Sequence, residues 1–306
     1  MSRPEQRAAT PRRAVLGAGL AGSVLGLTGC GIRVEKGAPK IPGIKTQAPP
    51  ADQAVLRRVL TNVQDAAASA SRSSFTWAPA LARIHRAQHR RLLQVMATQG
   101  MTPTPTPSAT STRVLAVEPT PLPALEEHQA AQIGDLVDLT TRNLPMAAAI
   151  GVTHAAAAQL LGKPATPSGD TVPRPTQVPA AVLPSLQAAI YAFEVIVAKT
   201  PLDTRKKAQA TLSSLLPTRA AWEAALGDAA PAQPDGYTLP VQPTTKAKRA
   251  ELAQVVLTDL IEACAGQVSA TRGDRASFIG LTGLWGTGTA QLWRWGATPT
   301  PFPGLA

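Results

Sequence analysis

The 306-residue sequence predicts an all-α protein made of antiparallel four-helix bundles, two in tandem. Three observations carry that reading. Apolar residues recur at helical spacing through most of the chain beyond residue 50, and β-branched runs of period two are scarce. The chain is rich in Ala and Leu, with only 4% aromatic residues. A stretch holding five prolines between Gly162 and Pro179 divides the helical part into 51–162 and 180–306, each long enough for two helical hairpins.

Residues 1–29 read as an export signal. A basic head (Arg3, Arg7, Arg12, Arg13) precedes a short apolar run from Ala14 to Leu27, too short and Gly-rich to stay in a bilayer as a helix. The pair Arg12-Arg13 before Ala14, Val15 and Leu16 resembles a bacterial twin-arginine signal. Leu27-Thr28-Gly29-Cys30 resembles a lipobox, in which small residues let the modifying enzymes reach the backbone and sulfur. The resemblance implies that Cys30 is acylated, becomes the first residue and anchors the chain in the lipid bilayer at the extracytoplasmic face. Each buried CH2 contributes about 0.8 kcal/mol, so two or more acyl chains hold where one is marginal. Residues 30–50 are Gly, Pro, Lys and Ala without periodicity, a semi-extended tether.

Cleavage before Cys30 removes four of 30 basic residues and one of 19 acidic ones, leaving 26 against 18 and a net charge of +8. The charges are dispersed, no recognition motif appears and the chain is addressed outward, so nucleic acid is not the partner. Anionic lipid, an envelope protein or an acidic wall polymer suits such a surface. With Cys30 acylated, Cys264 has no partner for a disulfide and reads as a small core residue.

The helices follow in order. Asp52 caps a first helix to about Arg72, whose Val55, Leu56, Val59, Leu60 and Val63 share a face. Ser73-Ser74-Phe75-Thr76 turns into a second, 79–98. Alternating Thr and Pro over 102–112 excludes helix and central strand and makes an exposed loop. A helix over 123–142 and an Ala-rich one over 147–161 complete the first half. The second half holds helices near 180–199, 204–226, 244–271 and 274–296, with Asp203 or Thr204 capping the second of these and Thr244 or Thr245 the third. Gly280, Gly283, Gly286 and Gly288 lower helix propensity in the last one, which predicts close approach of a neighbour or a break. Asp274, Arg275 and Arg294 make that run too polar to span a membrane.

Four helices in two hairpins is the arrangement in which ferritin-like proteins hold two metals, using Glu on two helices and Glu-x-x-His on the other two. None of His85, His89, His128 and His154 has an acid three residues before it. His85 and His89 lie one turn apart on the face of Leu81, Leu92 and Met96. Such a pair holds a metal when Glu127 or His154 arrives from a facing helix, and otherwise lines the core edge. Asp135 with Asp138 and Asp259 with Glu262 lie at i and i+3, as charged helix faces do. Phosphate loops, nucleophile elbows and Cys-x-x-Cys pairs are absent from the sequence. The expectation is therefore no catalytic residue, no cofactor and no metal ligand set, in a binding or structural module of the cell envelope; the rival is a metal-dependent oxidase or metal-storage protein.

From about Pro179 to Ala306 the chain carries Tyr191-Ala192-Phe193, Arg219, Tyr237-Thr238-Leu239-Pro240, Glu262, Trp293-Arg294 and the closing Pro301-Phe302-Pro303-Gly304-Leu305. This segment resembles a ferritin-like domain family of unknown function found in exported actinobacterial lipoproteins. The resemblance implies a ferritin-like bundle for 180–306. Members commonly carry a Glu-His pair before the aromatics, where this chain has Leu186 and Gln187, and often a His beside the arginine, where it has Thr218.

The address is directly testable. Cys30→Ser is expected to release the protein from membranes, and Arg12→Lys with Arg13→Lys to strand the precursor inside the cell, because the route reads the guanidinium pair rather than charge. Cell fractionation and intact mass check both; an unmodified Cys30 in membrane-purified protein contradicts the anchoring.

Overall fold

The computed structural model describes residues 50–103, 120–166, 177–202 and 204–305; the export signal with Arg12, Arg13 and Cys30, most of the Thr/Pro loop, most of the Pro-rich linker and Asp203 lie outside them. Among the described residues the chain is all-helical. Its α-helices are α1 (Gln53–Ser71), α2 (Ala78–Thr98), α3 (Leu122–Ala131), α4 (Leu144–Leu160), α5 (Gln177–Ala198), α6 (Lys206–Leu226), α7 (Lys246–Gln267) and α8 (Arg275–Arg294).

Several expected starts hold. Thr245 caps α7 by accepting from Lys248 N, and Asp274 caps α8 by accepting from Ser277 N. Two expectations fail for a tertiary reason. Asp52 precedes α1 but makes no capping bond. It is buried, and its carboxylate accepts instead from Thr140 N (3.1 Å), Thr140 Oγ1 (2.5 Å) and Asn143 Nδ2 (2.6 Å), which ties the start of α1 to the turn before α4. The helix expected over 123–142 ends at Ala131 and continues as a 3-10 turn, Ile133–Leu136, whose Ile133 and Leu136 point into the core.

The helices pack pairwise, α1 on α2, α3 on α4, and α5 on both α6 and α7, while α8 lies between α7 and α4. That last contact joins the halves. Leu56 and Val63 of α1, Leu92 and Met96 of α2, Ile150 of α4, Phe193 of α5, Trp222 of α6, Cys264 of α7 and Trp285 of α8 belong to one buried cluster. Residues Ala48–Ala306 accordingly form one compact unit, so the two expected bundles share a core instead of each closing on its own. Each such buried side chain contributes about 1.5–3 kcal/mol relative to exposure.

The α4–α8 crossing depends on small residues. A Cβ at Gly286 would stand 3.0 Å from the Ala155 Cβ of α4; on the side of α8 that faces α7, one at Gly288 would stand 3.3 Å from Ile261 Cγ1. The close approach expected from the glycines is thus present, and α8 runs through it unbroken. After α8 the chain folds back over α7. Gly304, at φ +75°, lies so near that an added Cβ would be 2.9 Å from the Ile261 carbonyl oxygen. Helix α5 is long and apolar enough to cross a membrane, yet Val182, Leu183, Leu186, Ile190 and Phe193 are buried against its neighbours, as in a core helix.

Candidate functional site

Three helices of the N-terminal half each send a polar side chain into the interior. On α2, His85 sits among the buried Leu81, Ala82 and Ile84, with Gln88 three residues on and therefore on the same face. On α3, Leu122, Glu126 and Ala130 form the buried stripe at i, i+4 and i+8, so a carboxylate occupies a core position. On α4, an almost wholly buried helix, Thr153 and His154 face the other two. His85 and Glu126 have no solvent exposure, and His154 has 3%.

Glu126 is the centre. Its Oε1 lies 2.9 Å from His85 Nε2 and its Oε2 2.5 Å from His154 Nδ1, and the two imidazoles stack at 4.9 Å with planes 15° apart. The protons follow from the surrounding bonds. Gln88 Nε2 donates to the Pro301 carbonyl (2.6 Å) and to Thr153 Oγ1 (3.0 Å), and that hydroxyl donates to the Ala149 carbonyl (2.9 Å). A carbonyl only accepts, so the amide orientation of Gln88 is determined and its Oε1 faces His85 Nδ1 at 2.9 Å. His85 Nδ1 must therefore carry a proton. Facing a carboxylate, Nε2 carries one as well. With Glu126 ionised, the bonds fit His85 as an imidazolium and His154 as a neutral ring with its proton on Nδ1 and a lone pair on Nε2.

The acid–base balance agrees. Burial pushes Glu126 up, but the charges of His85 and His154 and their hydrogen bonds hold it down at about 2. Burial pushes His85 down, and the Glu126 charge together with bonds to Glu126 and Gln88 raises it above its ordinary 6.5. For His154 burial prevails, aided by the charge of His85 against the pull of Glu126, and its pKa is lowered.

His154 Nε2 is buried without a partner, and so is Gln129 Oε1 from the next turn of α3. Both residues line a cavity of about 30 Å³, room for a water.

The residues singled out from sequence divide sharply. His154, one of the two residues named as able to join the His85–His89 pair, reaches His85. Glu127 does not, because it points outward and pairs with Lys163 at 3.7 Å; Glu126, one position earlier, takes the inner place. Three groups able to hold a metal thus meet where no ligand set was expected. The missed signal was an acid in register with Leu122 and Ala130. His89 is half-buried and outside the cluster, and His128 bonds Gln132. Asp135 pairs with Arg58 and Arg275, while Asp138, Asp259 and Glu262 are exposed. Among the described residues, His85, Glu126 and His154 are the group of three whose ligand atoms lie within 4.8 Å of one another.

The C-terminal half brings together a different polar group. Gln187 Nε2 donates to Glu223 Oε1 at 3.1 Å, Tyr237 donates to Gln187 Oε1 at 3.4 Å, and Arg219 lies 3.8 Å from Glu223. An amide, a phenol, a carboxylate and a guanidinium meet there, without imidazole. A domain of unknown function, DUF4439, covers residues 180–306. No curated protein and no solved structure matches the chain. The matched segment thus excludes His85, Glu126 and His154 and, among the described residues, reaches their network through Pro301.

Removing the central charge tests this geometry. Glu126 is depressed in the fold, so its contribution is present above its ordinary 4.5 and is lost as pH falls toward 2. His85 is raised, so its contribution is present below 6.5 and is lost as pH rises through its folded value. Glu126→Gln is expected to lower stability by about 3–5 kcal/mol near pH 6, by leaving a buried imidazole unpaired, and to flatten both of these limbs. Chemical denaturation across pH measures both; unchanged limbs contradict the charge assignment.

Proposed function

We propose that the chain is an exported, lipid-anchored helical protein of the cell envelope that holds one divalent transition-metal ion between His85, Glu126 and His154. The address rests on Arg12, Arg13 and Cys30. The metal reading rests on three ligand atoms from three helices, fully buried and within 4.8 Å of one another.

The donor set supports it. Two imidazoles and a carboxylate suit zinc, iron, manganese or nickel rather than calcium or magnesium, which prefer all-oxygen sites. His85 already donates its second ring N–H to an amide oxygen that is itself held by two acceptors, the orientation a metal-bound histidine needs. An ion on His154 Nδ1 would leave the ring proton on Nε2, turning that unpartnered atom into a donor. Gln129 Oε1, unpartnered and lining the same small cavity, is then a matching acceptor through one water.

The surroundings favour holding an ion over turning over a substrate. The cavity beside His154 has room for a water but not for an organic molecule. Three protein ligands at one point suit a single ion, whereas a ferritin-type pair needs about six. The oxidase alternative draws on the same cluster and lacks a substrate space next to it. The role that follows is a resident ion that clamps α2, α3 and α4.

Chelator-dialysed protein titrated with Zn²⁺, Mn²⁺ or Fe²⁺ is expected to take up one ion per chain and to melt at rising temperature as the ion increases. At a hundred times Kd the gain is about 2.7 kcal/mol. His154→Ala is expected to abolish uptake. Melting unchanged by any of these ions, with no stoichiometric metal, would leave the cluster a proton-filled structural network and overturn the proposal.

A further inference from the structure

A cavity of about 610 Å³ lies at the other end of α2, away from the buried cluster, and is within the range of small-molecule sites. Its walls come from α2, the start of α4 and the returning C-terminal segment. Val95, Met146, Phe302 and Leu305 give it an apolar side, and Arg91 and Arg142 bring two guanidiniums from different elements to its rim. Among the described residues no acidic side chain lines it. Asp52, which bonds the lining residue Asn143, is buried and occupied by Thr140 and Asn143. Among the described residues neither arginine makes an ion pair, whereas Arg58, Arg219 and Arg275 all do.

The cavity is held open by bonds outside it. The Pro301 carbonyl accepts from the buried Gln88 and Gly304 rests on the backbone of α7, so Phe302 is fixed between two anchored residues, and Leu305 N donates back to the Phe302 carbonyl at 3.1 Å. A wall set this way is ready before a ligand arrives, which lowers the ordering cost of binding.

We propose that this cavity binds an anionic amphiphile, a phosphate or carboxylate head held by Arg91 and Arg142 with an apolar body against Val95, Met146, Phe302 and Leu305. Guanidinium forks match both head groups in bidentate geometry, and two of them without a competing carboxylate leave uncompensated positive charge for an anion. The apolar side has no use for a bare anion, so head and body are both recognised. This site is separate from the metal reading and stands or falls without it.

Isothermal titration of the full chain carrying Cys30→Ser, which needs no detergent, tests the proposal with three probes below their micelle concentrations. Octyl phosphate is expected to bind saturably at one per chain. Inorganic phosphate is expected to bind at least tenfold more weakly, and octyl glucoside not measurably. Arg91→Gln and Arg142→Gln are each expected to weaken octyl phosphate tenfold or more. Arg90→Gln, an exposed position one residue along α2 that does not line the cavity, is expected to change nothing. Equal affinity for inorganic phosphate would remove the apolar half of the proposal, and equal affinity for octyl glucoside the anionic half. No octyl phosphate binding, or equal loss from Arg90→Gln, would overturn the site as a whole.

Discussion

A carboxylate with no access to water must find its stabilisation inside the protein, and Glu126 finds it in two imidazoles from two other helices. Desolvating such a group carries a penalty of several kcal/mol, recovered only when charge and hydrogen bonds are both well placed. One oxygen meets a charged ring and the other a neutral one, so the three side chains leave no net charge in the interior. The arrangement has little tolerance for displacement. If α3 turned by a single residue, Glu127 would face inward and Lys163 would lose its partner.

From that centre the constraints spread outward. His85 requires the oxygen of Gln88, and Gln88 requires both Thr153 on α4 and the carbonyl of Pro301. A residue from the C-terminal end of the chain therefore helps to orient a ring near its N-terminal third. The same tail closes one wall of the large cavity, and its seat on α7 depends on Gly304. The second bridge between the halves is the α4–α8 crossing, where Ala155 and Gly286 approach too closely for larger side chains. The segment that matches a domain family is thus one side of a shared core, and the buried cluster belongs to the other side.

The local features were legible in the sequence. Helical period marks all the helices of the described residues, Thr245 and Asp274 announce the starts of α7 and α8, and the glycines of α8 announce a close neighbour. What escaped depends on phase or on distance. Glu126 and Glu127 are adjacent and chemically alike, and only the register with Leu122 and Ala130 separates them. Asp52 looks like a helix cap until a turn 88 residues away supplies stronger donors. The split into two bundles followed the prolines, but α8 of one half packs on α4 of the other, a contact no local pattern encodes. The sequence pairs His85 with His89 and offers Glu127 or His154 as a third group, whereas the fold leaves His89 outside and brings Glu126 between His85 and His154.

The central claim concerns where three protons sit, and ¹⁵N-detected NMR of the histidine side chains in metal-free protein near pH 6 reads them directly. The expected spectrum shows both ring nitrogens of His85 protonated, and His154 protonated on Nδ1 with an unprotonated Nε2. Two neutral imidazoles, or a charged His154 beside a neutral His85, would contradict the network built on Glu126.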